Sequence, residues 1–421
     1  MTSPGGLQSG LMAALVVMLA ASAVRADTLE QAVMRGLARH PQVQVAQSEV
    51  SMATTEVEMA RNAYLPSVNA SAGPAAAGLG YDLTLSQPLY DWGQAGSVVD
   101  QKRAQLAQQQ ANLQVVRDDV ALEIIETHLD VASARAQLSL LDDHLARLSA
   151  ISEMTRARVE GRFADQSEAG RVALALATAQ GTKARLEGDL ADATGRYELL
   201  VDEPAQALLL PASPGFLKEL ADEGALDAAI AGAPLYQKAA LGVRVADAGV
   251  REANASRFPR LNLEGGVQRR EIGGRLVNDS SISLRFRVST QQGLSALQRP
   301  QLEAERREAA KWTAENTARD LKRTVGSLER SDKALAAQID ALADQIDQAE
   351  AVRSLYGEQF LVGRRDIQDL VVMETEQFES QRQRVELVIE RLRLEYRAAA
   401  QLGLLTPAMS GDEMQALGGD Q

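Results

Sequence analysis

The sequence predicts a mainly α-helical chain with a membrane β-barrel portion, built as two repeats that each carry a strand pair and a long coiled-coil hairpin. Three observations predict it: a duplication around two prolines, alternating runs after each of them, and heptads sustained over long proline-free stretches. The composition agrees. Aromatic residues make up only 4% of 421, and Ala, Gln, Leu, Arg and Glu are abundant, which suits helices meeting along narrow seams. A net charge of -13 argues against a nucleic-acid partner, and the lack of cysteine rules out disulfides and thiolate chemistry.

The first element is a leader. Leu11 to Ala21 form an apolar run of secretory length, too short to span a bilayer, and Val24-Arg25-Ala26 offers a cleavage site before Asp27. Residues 1–26 are therefore expected to be a signal peptide, although its start has no Lys or Arg. No later run reaches about 18 apolar residues, so any membrane span must be β.

The repeats follow. Aligning Pro41 with Pro234 brings Ala46 to Ala239, Val50 to Val243, Ala53 to Ala246, Val57 to Val250 and Pro66 to Pro259. Leu29-Glu30-Gln31-Ala32-Val33 echoes Leu226-Asp227-Ala228-Ala229-Ile230. The expected first repeat is 27–225, with strands at 65–90, a hairpin at 93–200 and a linker. The second is 226–405, with strands at 259–289 and a hairpin at 293–404, and 406–421 is a C-terminal tail.

In the second strand pair Leu261, Leu263, Gly265 and Val267 alternate with Asn262, Glu264 and Gln268. Its partner alternates Ile282, Leu284, Phe286 and Val288 with Ser281, Ser283, Arg285 and Arg287. The first pair is fainter: Val68, Ala70 and Ala72, then Tyr81, Leu83 and Leu85. A strand between lipid and a wet lumen needs this alternation, and so does a soluble hairpin with one solvated face. Glu264, Arg285 and Arg287 would line such a lumen, without an assigned role.

The long helices favour the first reading. No proline lies between Pro88 and Pro204 or between Pro300 and Pro407. Val99, Leu106, Leu113 and Val120 recur every seventh residue, and the register resumes at Leu141 and Leu148. Leu321, Leu328, Leu335 and Leu342 keep a second register, and Val371, Phe378, Val385 and Leu392 a third. Such heptads are coiled-coil seams. Each outgoing helix would span roughly 100 Å and reverse at Gly161 or Gly363, glycine accepting backbone angles closed to other residues.

These features resemble the TolC family of outer-membrane export channels. Thr28-Leu29-Glu30-Gln31-Ala32-Val33 with His40-Pro41 is similar to the family's repeated opening motif, which more often has Asn before the proline. Ala63-Tyr64-Leu65-Pro66-Ser67-Val68 is similar to its approach to the first strand, and Ser86-Gln87-Pro88-Leu89-Tyr90-Asp91-Trp92-Gly93 to its exit into the long helix. Tyr356-Gly357-Glu358-Gln359-Phe360 with Val362-Gly363-Arg364-Arg365 and Asp369-Leu370 resembles the second hairpin tip.

The resemblance implies a homotrimer whose chains give four strands each to one 12-stranded barrel in outer-membrane lipid, with a periplasmic α-barrel below. Val201 to Asp222 and the residues after Leu405 would form a belt around its middle. It places the chain in the outer membrane of a Gram-negative bacterium, extending into the periplasm. Its partners would be a periplasmic adaptor (membrane fusion) protein and an inner-membrane ABC transporter or proton-driven pump.

The resemblance also implies sites. Gly161, Arg162, Gly363 and Arg364 would meet the adaptor at the hairpin tips. Arg365 aligns with a family arginine that bonds a neighbouring hairpin and shuts the entrance, and Asp369 with an aspartate that narrows it. Asp165 and Glu168 of the first tip are candidate acceptors for Arg365. Val372 and Phe360 depart from an acidic residue and a tyrosine in the best-known member.

No enzyme is expected: there is no acid/base pair, phosphate loop or nucleophile motif. His40, His128 and His144 form no metal-ligand pattern, and no cofactor or metal is expected. The favoured function is the channel of a type I secretion system, because the second tip is most similar to that branch and many drug-efflux members carry a lipid-anchor cysteine. The alternatives are the channel of a small-molecule or multidrug efflux pump and, in another class, a periplasmic coiled-coil adaptor or scaffold.

Overall fold

A computed structural model of the protein describes residues 29–75, 78–205, 208, 210–287 and 298–410. The expected leader, Ala76 and Ala77, the strand end at 288–289, the helix start at 293 and the tail beyond 410 lie outside the described residues.

The first repeat runs α1 (Leu29–Arg39), α2 (Pro41–Arg61), β1 (Ser67–Ala75), β2 (Gly78–Tyr90), α3 (Gln94–Glu160) and α4 (Gln166–Val201). A connection containing α5 (Phe216–Glu219) leads to the second: α6 (Glu223–Gly232), α7 (Pro234–Ala255), β3 (Arg260–Ile272), β4 (Arg275–Arg287), α8 (Arg299–Leu361) and α9 (Ile367–Leu402). A short α10 (Leu405–Ser410) closes the described chain. At about 1.5 Å per residue, α3 with 67 residues and α8 with 63 are each close to 100 Å long.

The paired prolines are helix starters. Pro41 and Pro234 occupy the first turns of α2 and α7, where a missing N–H costs nothing, and His40 and Ala233 before them are extended. The exits from the first strand pair are equally local. Asp91 accepts from the amides of Gly93 (3.0 Å) and Ala95 (2.6 Å), while Trp92 and Gly93 take positive φ values of 61° and 82° to swing the chain into α3.

Helix packing has two levels. Beside the sheet the neighbours are α2, α3, α7 and α8 in that order; towards the tips they are α4, α3, α9 and α8. Thus α3 and α8 run through both levels, while α4 ends near the start of α2 and α9 near the start of α7. Arg35 and Arg39 of α1 bond Glu203 and Asp202 just past α4. Gly403, which ends α9 with φ 74°, lies so close to α7 that an added Cβ would sit 2.2 Å from Pro234 Cδ. Here glycine is required twice, by conformation and by space.

The core is a string of clusters rather than one centre. The largest packs α1, the middle of α3 and the ends of α4 and α9 around Ile124, Ile125, Leu129, Tyr197 and Leu405. Further clusters follow the hairpins, through Leu141, Leu148, Leu186 and Phe378 and then Ile151, Val172, Phe360 and Ile367. The heptad residues Val99, Val120, Leu141, Leu148, Leu321, Leu342, Phe378 and Leu392 are buried in these seams. Two buried carboxylates tie the middle together. Glu395 accepts from Ser213 Oγ and the Gly215 amide, both at 2.7 Å, and Asp118 Oδ1 accepts from the amide and hydroxyl of Thr406, both at 2.9 Å.

The four strands form one antiparallel sheet in the order β1-β2-β3-β4. Register sorts its residues cleanly. Val68, Leu85 and Gly265 align across the strands and continue to Ile282; Ser86 aligns with Glu264 and Ser283. The apolar side is exposed: within β3 Leu263 is 37% and Val267 43% accessible, against 7% for Glu264 and 8% for Asn262, while on the edge strand β4 Ile282 and Phe286 are exposed and so are Arg285 and Arg287 of the other face. A soluble hairpin shows the opposite pattern.

Candidate functional site: the paired hairpin tips

Far from the sheet, the chain reverses twice. The first tip turns from Gly161 onward as expected, but not through a left-handed glycine. Gly161 is right-handed at φ -73°, and the left-handed residue is Arg162 at φ 59°. At the second tip Gly363 carries the left-handed conformation, φ 72°, as expected. The hydrogen bonds fix the true equivalence. Arg162 N donates to Val159 O and Phe163 N to Arg158 O; Gly363 N donates to Phe360 O and Arg364 N to Gln359 O. Arg162 therefore corresponds to Gly363, and Gly161 to Val362. Gly161 has a different reason to lack a side chain, since a Cβ there would meet the Phe163 ring at 2.9 Å.

At both tips an extended aspartate precedes the returning helix, Asp165 before α4 and Asp366 before α9, and of the two only the Asp165 side chain accepts a capping hydrogen bond. Asp165 accepts from the Ser167 amide at 2.5 Å, and the Ser167 hydrogen bonds hold its carboxyl below the usual carboxylate range. Glu168 and Asp369 fall at matching positions in the first turns that follow, where a negative charge complements the helix dipole.

Arg365 is held within its own hairpin. Its Nη1 lies 3.1 Å from Asp369 Oδ2, its Nε donates to Gln359 Oε1 at 3.1 Å, and its guanidinium stacks over the Tyr356 ring at 4.1 Å. Within the chain the first-tip carboxylates are therefore not its partners: Asp165 caps α4, and Asp369 takes the arginine. Arg365 and Asp369, expected to act on the entrance separately, form one unit.

Apart from Phe360, the tips lie side by side through residues that the sequence did not single out. Arg158 spans them, reaching Phe163 O and Phe360 O at 3.4 Å each and covering the Phe360 ring at 4.6 Å. Arg171 of α4 bonds Gln368 of α9. Phe360 is buried in this contact, while Phe163, Leu361 and Val362 stand exposed at the end of the molecule. Arg162 and Arg364 are exposed beside them. Arg158 has no motif, and only its place a turn before the reversal hints at its role.

One level above, α9 is locked to α3. Glu374 is almost wholly buried, bonded by Arg147 and 3.1 Å from His144 Nδ1, and His144 stacks on Phe378 with ring centroids 4.5 Å apart. A buried carboxylate is stable only with such partners.

The family model described as outer membrane efflux protein matches residues 33–196. Protein CyaE of Bordetella pertussis (strain Tohama I) is 29% identical over 263 residues. That alignment covers 57% of this chain and 54% of CyaE, so the chain spans about half the length of that relative. Among solved structures, CusC superposes with a TM-score of 0.79 at 13% identity, over 89% of this chain and 92% of that one. The outer membrane protein VceC of Vibrio cholerae gives 0.75 at 14%, over 89% and 96%. The open MtrE outer membrane channel of Neisseria gonorrhoeae gives 0.72 at 17%, over 90% and 89%. The fold is thus the one these structures share, mostly helical with a small antiparallel strand set.

Proposed function

We propose that the chain is the outer-membrane channel of an export machine, three copies of it forming a duct from the periplasm to the outside. The observation that carries this reading is the sheet: its apolar side stands exposed with no core packed on it, Asn262 and Glu264 of the polar side are buried, and the same sheet continues into paired 100 Å helices. β1 and β4 are the sheet's edges, and closure with other copies would leave no open edge in lipid. The flank supports such closure. Val45, Met52 and Met59 form an exposed heptad stripe on α2, and α8 at the other flank exposes Leu302 and Trp312. In this reading the chain catalyses no reaction.

The tips are the adaptor-binding end. Exposed Arg162, Arg364, Phe163, Leu361 and Val362 offer a mixed basic and apolar surface to a partner's helical hairpins, with Gly161 and Gly363 shaping it. Arg365 and Asp369 form the gate unit, with Asp165 and Glu168 as neighbours that a rearranged Arg365 would reach in another subunit. We assign the pump to the ABC class, and hence the function to type I secretion, on the second-tip motif, whose Tyr356, Gln359, Arg365 and Asp369 act together. The efflux reading is the second one, and the outer membrane efflux description of residues 33–196 favours it.

The absence of cysteine supplies the test. Arg364→Cys would be the only thiol and would carry a photo-crosslinker in living cells. Capture of an adaptor that co-purifies with an ABC transporter is expected; an adaptor of a proton-driven pump would replace secretion with efflux. A chain washed from membranes by urea, with soluble partners alone, would return it to the scaffold class.

A further inference from the structure

The sheltered wall of the sheet is graded in charge along its length. Cross-strand partners share a face, so the pairs Arg260–Arg287, Asn262–Arg285 and Ser86–Glu264 stand on one wall at the end nearest the helices. Glu264 is buried there between two exposed arginines, with Arg287 Nη2 2.5 Å from one oxygen and Arg285 Nε 3.1 Å from the other. Arg260, at the base, donates to Gln94 at 2.7 Å. Further along come Thr84, Gly266 and Ser281, which offer hydroxyls and bare backbone but no charge. Asp82 and Asp279 follow, held by Thr84 at 2.8 Å and Gln268 at 3.1 Å. Arg270 and Arg275 lie beyond the last β2 partner, in the end of the β3–β4 hairpin.

Resting on the channel reading, we propose that Arg285 and Arg287 form the ion-selecting band of the lumen and make the duct prefer anions. The two charged bands differ in reach. Twelve strands about 4.8 Å apart, tilted by about 40°, enclose a radius of roughly 12 Å. Although Glu264 anchors both, the Arg285 and Arg287 side chains stay 62% exposed, so their charge faces the lumen within the Debye length of about 10 Å that holds at 0.1 M salt. An aspartate leaves its charge at the wall, and a hydrogen bond from Thr84 or Gln268 holds it there. Each chain sets two guanidinium groups against one carboxylate in the band, and three chains close these into a cationic ring. Anions of small solutes or of a passing polypeptide are the species this ring draws in.

The test is the reversal potential of the purified full-length protein in neutral planar bilayers under a KCl gradient. The wild type is expected to reverse on the chloride side. Arg285→Gln with Arg287→Gln should lower the chloride-over-potassium preference severalfold, and Glu264→Gln, which releases both arginines, should raise it. The preference should fade near 1 M salt, where the Debye length is about 3 Å. Asp369 at the entrance is the same in every variant, so a shift between them belongs to the band. A reversal potential that neither substitution moves, or a wild type that prefers potassium, overturns the proposal while leaving the channel reading standing. Protein that extracts without detergent and gives no conductance steps overturns the channel reading instead.

Discussion

Asp118 shows how one side chain couples the ends of the fold. It sits inside α3, and its carboxylate holds the start of α10 through Thr406. Burial pushes its pKa from 3.8 up to about 6, with the Thr406 hydrogen bonds opposing the shift. A raised acid pKa means that the folded state binds the proton more tightly than the unfolded chain. Its contribution is therefore most favourable below about pH 4 and is lost as pH rises through about 6. Near neutrality the charged form costs up to about 3 kcal/mol relative to the protonated one. Asn keeps an acceptor for Thr406 and carries no charge. Thermal unfolding of Asp118→Asn, followed by circular dichroism in detergent, should lack the pH-dependent fall expected of the wild type and show greater stability at pH 7. An unchanged slope between the two pH limits would remove Asp118 as its source. This coupling was not legible in the sequence, because Asp118 and Thr406 belong to no motif and meet only through the tertiary fold.

At the scale of elements, the sequence was most informative where geometry is local. Prolines mark the starts of α2 and α7, heptads mark the seams, and the gaps between prolines bound the long helices. It misled at the first tip, where two glycines look equivalent but the hydrogen bonds pair Arg162 with Gly363. Arginine in a left-handed turn leaves no compositional signal. The partners of Arg365 were hidden for another reason: a long side chain has several acceptors in reach, and the choice among them depends on where Tyr356 and Gln359 point. Since Arg365 is braced by three neighbours on its own hairpin, it stiffens the turn that bears Asp369. The ion pair is partly exposed and is worth about 0–1 kcal/mol alone. Arg365→Ala should therefore loosen the tip without unfolding the chain, raising resting single-channel conductance at an unaltered melting temperature. Unchanged conductance would remove Arg365 from the gate.

For the whole molecule, the decisive property is which face of the sheet meets the surroundings. Alternation in the sequence showed two faces, but lipid outside and a soluble core inside require the same pattern. The exposure of Ile282, Leu284 and Phe286, with no core packed on them, is what favours the lipid reading. A charge placed on that face should be costly and one on the other face tolerated. Ile282→Lys is expected to lose about 2–4 kcal/mol if it lies near the bilayer midplane, and Ser283→Lys, its neighbour on the sheltered wall, far less. Detergent-resistant trimer on gels, scored for both, checks this; equal loss would place both residues in one environment.

The pairing of β2 with β3 has a consequence for how such a chain comes together. β1–β2 and β3–β4 are local hairpins, but Leu83 meets Val267 only after the whole first helical hairpin and the middle connection have been made between them. Closing so long a loop adds little to the equilibrium cost, which grows with the logarithm of its length, but contacts so distant in sequence form slowly. Contacts within each helical hairpin are therefore expected to form before the pairing of β2 with β3, holding the two strand hairpins alongside each other. Until then the chain presents two narrow ribbons rather than one broad apolar sheet, and its stickiest surface is completed only at the last step of its assembly.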